Sequence, residues 1–114
     1  MSEEKELSVQ VDIGALKIMH DAAEPYFYRV DSLIEDHYQG IQNFREDTMI
    51  SMMELRISLQ ILLTYLKELL QQAEEENVKV LHIPPAELKT MASLSKGLSK
   101  ATLIQLGNTN LRDQ

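Results

Sequence analysis

The chain has 114 residues and a formal net charge of −7, from 18 acidic and 11 basic side chains. It contains no cysteine, which excludes disulfides, thiolate nucleophiles and cysteine-ligated zinc or iron–sulfur centres. A hydrophobic content of 44% with 25% charged residues fits one globular domain rather than a disordered chain. No uninterrupted run of 18 apolar residues occurs, so no membrane span is expected.

The start of the chain, Met1-Ser2-Glu3-Glu4-Lys5-Glu6, lacks the basic start and apolar stretch of a secretory signal. It reads as a disordered leader over 1–6, and a cytoplasmic location is expected. The next residues alternate: Leu7, Val9, Val11 and Ile13 have the period of a half-buried strand. Residues 15–23 read as a short helix with Leu16, Met19 and Ala23 on one face. Pro25 cannot donate a backbone hydrogen bond, so it is expected to end or kink that helix and to start the next.

The following helix, about 25–45, carries Phe27, Val30, Ile34, His37, Ile41 and Phe44 at alternating spacings of three and four, a coiled-coil-like seam. Gly40 inside it would cost about 1 kcal/mol relative to Ala and suggests a close packing contact. Asn43 to Asp47 looks like a break, with Asp47 or Thr48 as the next cap. Residues 48–76 carry the strongest pattern. Met52, Leu55, Leu59, Leu62, Leu66, Leu69 and Ala73 keep the helical spacing, and Ile50, Met53, Ile57, Ile61 and Leu63 widen the apolar face. A helix apolar on that many sides is central in its assembly or shared between subunits.

Val78 to Ile83 alternates again and could pair with 7–13. Pro84-Pro85 stops a ladder, and the second proline suits a helix start. Residues 86–96 read as a helix, with Gly97 as a C-terminal stop and Ser99 capping a last helix over 100–106. Residues 107–114 read as a flexible tail. The expected fold is therefore mainly α: a single helical domain over 7–106 with two long antiparallel helices, a C-terminal helical hairpin and a short two-stranded element.

Chemistry is sparse. Gly14, Gly40, Gly97 and Gly107 stand apart, so no phosphate-cradling loop is encoded. His20 and Glu24, like Asp31 and Glu35, share a helix face, but the paired Glu-x-x-His motifs of a di-iron bundle do not occur. Surface pairing explains these residues better, and His37 reads as a hydrogen-bonded core histidine. No catalytic, cofactor or metal site is expected.

Two features point to partners. The first is the apolar helix: Met52, Leu55, Leu59, Leu62, Leu66 and Leu69, with Tyr26 and Tyr28 as aromatic anchors, form the expected interaction surface of a homodimer or hetero-complex. The second lies near the C-terminus. Gly97-Leu98-Ser99-Lys100-Ala101-Thr102-Leu103-Ile104-Gln105-Leu106 resembles the second half of a helix-turn-helix. That resemblance implies DNA contacts through Lys96, Ser99, Lys100 and Thr102. Lys96 and Ser93 depart from the pattern, and base-reading arginines are missing.

Charge is split. Residues 1–76 hold 16 acids and 6 bases, a balance of −10, whereas 77–114 hold 2 acids and 5 bases, a balance of +3. The primary expectation is a non-enzymatic, self-associating interaction module acting as adaptor, chaperone or inhibitor, with no small-molecule substrate. A small transcriptional regulator using the 86–106 hairpin, and an acidic inhibitor of a nucleic-acid-binding protein, are the alternatives.

Overall fold

Two alternating segments and three helical ones are realised in the order β1 (Val9–Asp12), α1 (Ile13–Tyr38), α2 (Glu46–Glu76), β2 (Val80–Ile83) and α3 (Pro85–Ala101). The structure is a computed structural model that describes the backbone of residues 8–101 and the side chains of residues 8–96. The leader over 1–6, the tail over 107–114 and most of the helix expected over 100–106 lie outside the described residues. The architecture is mainly α, with two long antiparallel helices and a short two-stranded sheet.

The expected pairing of the two alternating segments is present. β1 and β2 run antiparallel with Val9 opposite Ile83 and Val11 opposite Leu81. The Ile13 N–H donates to the Lys79 carbonyl at 2.9 Å and prolongs the ladder. Leu81 and Ile83 turn into the core while His82 faces out, as the two-residue period requires. Asp12 then ends the strand. Its Oδ1 accepts from the Gly14 N–H at 3.2 Å and caps α1.

α1 differs from the expected pair of helices, because it passes through Pro25 without ending. Pro25 lies on the exposed face, so its ring meets no packed neighbour. On either side of it, Leu16, Ala23, Val30 and Ile34 are fully buried. Their burial, at about 1.5–3 kcal/mol for each large aliphatic side chain, offsets the roughly 3 kcal/mol that an internal proline costs.

The far end of α1 also departs from expectation. The helix stops at Tyr38 rather than near residue 45, and Gly40 does the stopping with φ 77°. The Ile41 N–H donates to the Asp36 carbonyl at 2.9 Å and the Gly40 N–H to the His37 carbonyl at 3.1 Å. These are the two reversed bonds of a glycine-terminated helix end. A Cβ on Gly40 would meet nothing within 4 Å, so the glycine serves backbone conformation and not close packing. Ile41 consequently leaves the seam and is 65% exposed. Phe44 is buried, and its N–H donates to His37 Nδ1 at 3.1 Å. The expected hydrogen-bonded histidine is present, half-buried at the helix end.

α2 begins at Glu46, with Arg45 at the cap position and no side-chain cap bond. Asp47 and Thr48 are therefore not caps; they lie within the first turn, where Glu46 and Asp47 place negative charge by the positive end of the helix dipole. The other end closes on Asn77, which is left-handed at φ 55°. Asn tolerates this conformation better than most residues. By length and composition α2 could cross a membrane, since one 18-residue window has a mean hydropathy of 1.3. A third of that window is buried within the fold.

α3 starts on Pro85, where the missing N–H is harmless, and the Pro84 carbonyl accepts from the Glu87 and Leu88 N–H groups. It runs without a break to Ala101. Gly97 is therefore not a helix stop and Ser99 not a cap: the residues expected to form the turn of a hairpin are helical.

The core has two parts. Leu16, Leu59, Leu62, Leu66, Leu81 and Ile83 centre the larger one, between α1, α2 and the sheet, with Met91 of α3 closing it. Val30, Ile34, Phe44, Met49 and Met52 form the smaller one near the α1–α2 turn. Leu55 packs against both.

The end of α1 generates a test by sign. At Gly40, alanine should lower stability by about 1 kcal/mol or more, because the position needs positive φ. A glycine inside a helix would give the reverse, a gain of roughly 0.5–1 kcal/mol. Urea denaturation of Gly40→Ala decides between them.

Candidate protein-interaction face

The residues expected to form the interaction surface divide sharply in the structure. Met52, Leu59, Leu62, Leu66 and Leu69 are buried inside the chain itself, and Leu55 is half-buried. These leucines are the monomer's core and not an external surface. The reason is stoichiometric: α1, α3 and the sheet together supply enough apolar surface to cover one face of α2. Tyr26 packs against the larger cluster. Tyr28 is 61% exposed and meets Phe27 edge-on at 5.5 Å. Because α1 passes through Pro25, both tyrosines lie in mid-helix and not at a helix entry.

What remains outside is three of the five residues of the second apolar set, because Met53 and Leu63 are half-buried and pack against the two cores. Ile50, Ile57 and Ile61 are 50%, 56% and 51% exposed. At about 100° per residue, they cluster on the side of α2 opposite Leu59. The signal was already in the sequence, as the set that widens the apolar face; its angular position separates it from the leucines.

This outward face is contoured. A cleft of about 360 Å³ lies along it, lined by Ile57, Gln60, Ile61, Thr64, Tyr65 and Glu68. To one side, a groove of about 190 Å³ between α2 and α3 is lined by Ile61, Tyr65, Glu87, Thr90 and Leu94. To the other, a groove of about 180 Å³ between α1 and α2 includes His20, Glu24, Tyr28, Gln60 and Lys67. The first two share Ile61 and Tyr65, so apolar surface continues from α2 onto α3.

Polar contacts brace the helices on both sides. Arg56 donates to Asp31 at 3.0 Å and ties α2 to α1. The Tyr65 hydroxyl donates to Glu87 and ties α2 to the first turn of α3. Burial, and then the Glu87 carboxylate with a contribution from Glu68, pushes the Tyr65 phenol above its ordinary range.

The candidate metal-ligating residues are occupied separately. His20 Nδ1 contacts Asp21 at 3.2 Å, Glu35 accepts from Gln39 at 3.2 Å, and Asp31 holds Arg56. Among the described residues, no three of His, Asp and Glu converge on one point.

Of the candidate DNA contacts, Lys96 is exposed on α3. Ser99 and Lys100 are described only by their helical backbone, and Thr102 lies outside the described residues. The continuous helix through Gly97 removes the turn on which the helix-turn-helix resemblance rests. No protein-family model, curated protein or solved structure matches the chain.

The Tyr65–Glu87 contact predicts an alkaline signature. A phenol whose folded pKa is raised contributes stability that is full below the unfolded value of about 10 and is lost as pH climbs above it. Denaturation midpoints measured from pH 8 to 11 should therefore fall more steeply for the native sequence than for Tyr65→Phe. Parallel curves would contradict the contact.

Proposed function

We propose that this chain is a non-enzymatic helical interaction module that self-associates through the outward face of α2. One observation carries the reading: Ile50, Ile57 and Ile61 stay half-exposed on a helix whose Leu59, Leu62, Leu66 and Leu69 are buried. Scattered surface aliphatics are ordinary, but a contiguous apolar patch with clefts marks an interaction site. The continuation of that patch onto Leu94 of α3 supports the reading, because an interface needs breadth as well as a stripe.

The regulator alternative draws no support from α3, and the acidic body alone does not favour an inhibitor of nucleic-acid-binding proteins over an ordinary acidic surface.

Light scattering on the 13.1 kDa chain tests the proposal. The native sequence should have a mass above that of one chain, unchanged by high salt and by added duplex DNA. Ile57→Asp should return it to a single chain while altering folding stability by only about 0.5 kcal/mol, as expected for an exposed site. A native chain that is monomeric at every concentration, or that shifts onto DNA at low salt, would overturn the reading.

A further inference from the structure

The turn between α1 and α2 hangs on a bond to a titratable group. The Phe44 N–H donates to His37 Nδ1 at 3.1 Å. A backbone N–H can only donate, so Nδ1 offers its lone pair and the proton of the neutral ring sits on Nε2. The ring is half-buried. It stands edge-on to Tyr38 at 5.7 Å and tilted against the Phe44 ring at 6.1 Å, so packing limits its freedom to turn away. A second polar group in the same turn is poorly served. Gln42 Nε2 donates to Asp36 at 3.3 Å, but Gln42 Oε1 is buried and finds no donor among the described residues.

We propose that His37 is an acid-sensitive latch on the α1–α2 turn: neutral, it holds Phe44 and keeps the turn closed; protonated, it releases them. An imidazolium has no acceptor, because both of its nitrogens carry protons. A proton on Nδ1 therefore sets a donor against the Phe44 donor, and one of the two must move. The Phe44 side chain belongs to the smaller core with Val30, Ile34, Met49 and Met52, so the movement loosens that core first. Water entering the opened turn supplies the donor that Gln42 Oε1 lacks, which lowers the cost of opening.

The charged groups around this end are engaged elsewhere. On α1, Asp36 accepts from Gln42 and Glu35 accepts from Gln39. Arg45 of the turn contacts Asp47 of α2 at 3.4 Å, and Arg56 further along α2 holds Asp31. Glu46 and Glu54 are the other carboxylates early in α2. Among the described residues none of these forms an ion pair with the His37 ring, so no ion pair is present to offset the lost bond. The latch is closed above the ordinary imidazole range, centred near about 6.5, and opens as pH falls through that range.

The variant His37→Asn tests this, because the Asn amide oxygen branches from Cγ as Nδ1 does and accepts at any pH. Urea denaturation of the full chain at pH 8 and pH 5 gives the folding equilibrium constant of each protein. The constant of the native sequence should fall about fivefold further than that of the variant, the scale of one net hydrogen bond. His20, His82 and the carboxylates are common to both proteins and cancel in the comparison. Equal falls would overturn the latch.

A second measurement uses the native chain alone. By NMR the His37 ring should titrate between pH 8 and 5, with Nδ1 as the nitrogen that gains the proton. The Phe44 amide should exchange faster in step with it, beyond any change at the Leu62 amide in the larger core. A ring that stays neutral at pH 5, or a Phe44 amide that does not respond while the ring titrates, would overturn the proposal.

Discussion

A helix of 31 residues carries apolar positions on two opposite faces, and the described residues bury only one of them fully. The rest of the molecule is arranged around that division. The leucine face takes everything the chain can offer: α1 along one side, α3 along another, and Leu81 and Ile83 of the small sheet over one end. The isoleucine face is left half-exposed by the described residues. Burial is non-directional and proportional to area, so the choice between faces falls to connectivity. The short turn after Tyr38 and the β1–β2 pairing both return chain to the same side of α2.

The ends of the helices enforce that division. Gly40 and Asn77 both adopt left-handed backbone and close the two ends of the α1–α2 hairpin with reversed hydrogen bonds. They set where each long helix stops, and so which residues pair across the hairpin. His37 completes one end by accepting from Phe44. That bond turns the chain back with Phe44 in the smaller core and leaves Ile41 outside it. Arg56 with Asp31, and Tyr65 with Glu87, then link α2 to its neighbours across the borders between buried and exposed surface.

Much of the fold was legible in the residues. The period of two at Val9–Asp12 and Val80–Ile83, and the period near 3.6 over Glu46–Glu76, each point to the element that forms. Pro85 was legible as a helix start for a local steric reason. Local rules misled where tertiary packing outweighed them. Pro25 points locally to a helix end or a kink, but the helix continues through it, with the proline on the exposed face between strongly buried positions. Gly97 was read as a stop, but α3 continues through it. Gly40 was read as helical, because the seam through Ile41 and Phe44 keeps a helical period even though the chain has already turned.

The candidate site was only half legible. Periodicity shows that α2 has surplus apolar surface, but it does not say which face the chain itself will cover. Leu59 and Ile57 fall on opposite sides of the helix by angle alone, but which side is covered is decided only once α1 and α3 are in place. Neighbouring residues therefore carry the central claim. Ile61 and Leu62 are adjacent, yet one is half-exposed and the other wholly buried. The most direct measurement is thermal unfolding, with solution mass, of Ile61→Asp and Leu62→Asp. Retained folding with loss of association for Ile61→Asp, and loss of the folded state for Leu62→Asp, is the predicted result. Equal damage to folding from both substitutions would contradict the division of α2 into an inner and an outer face.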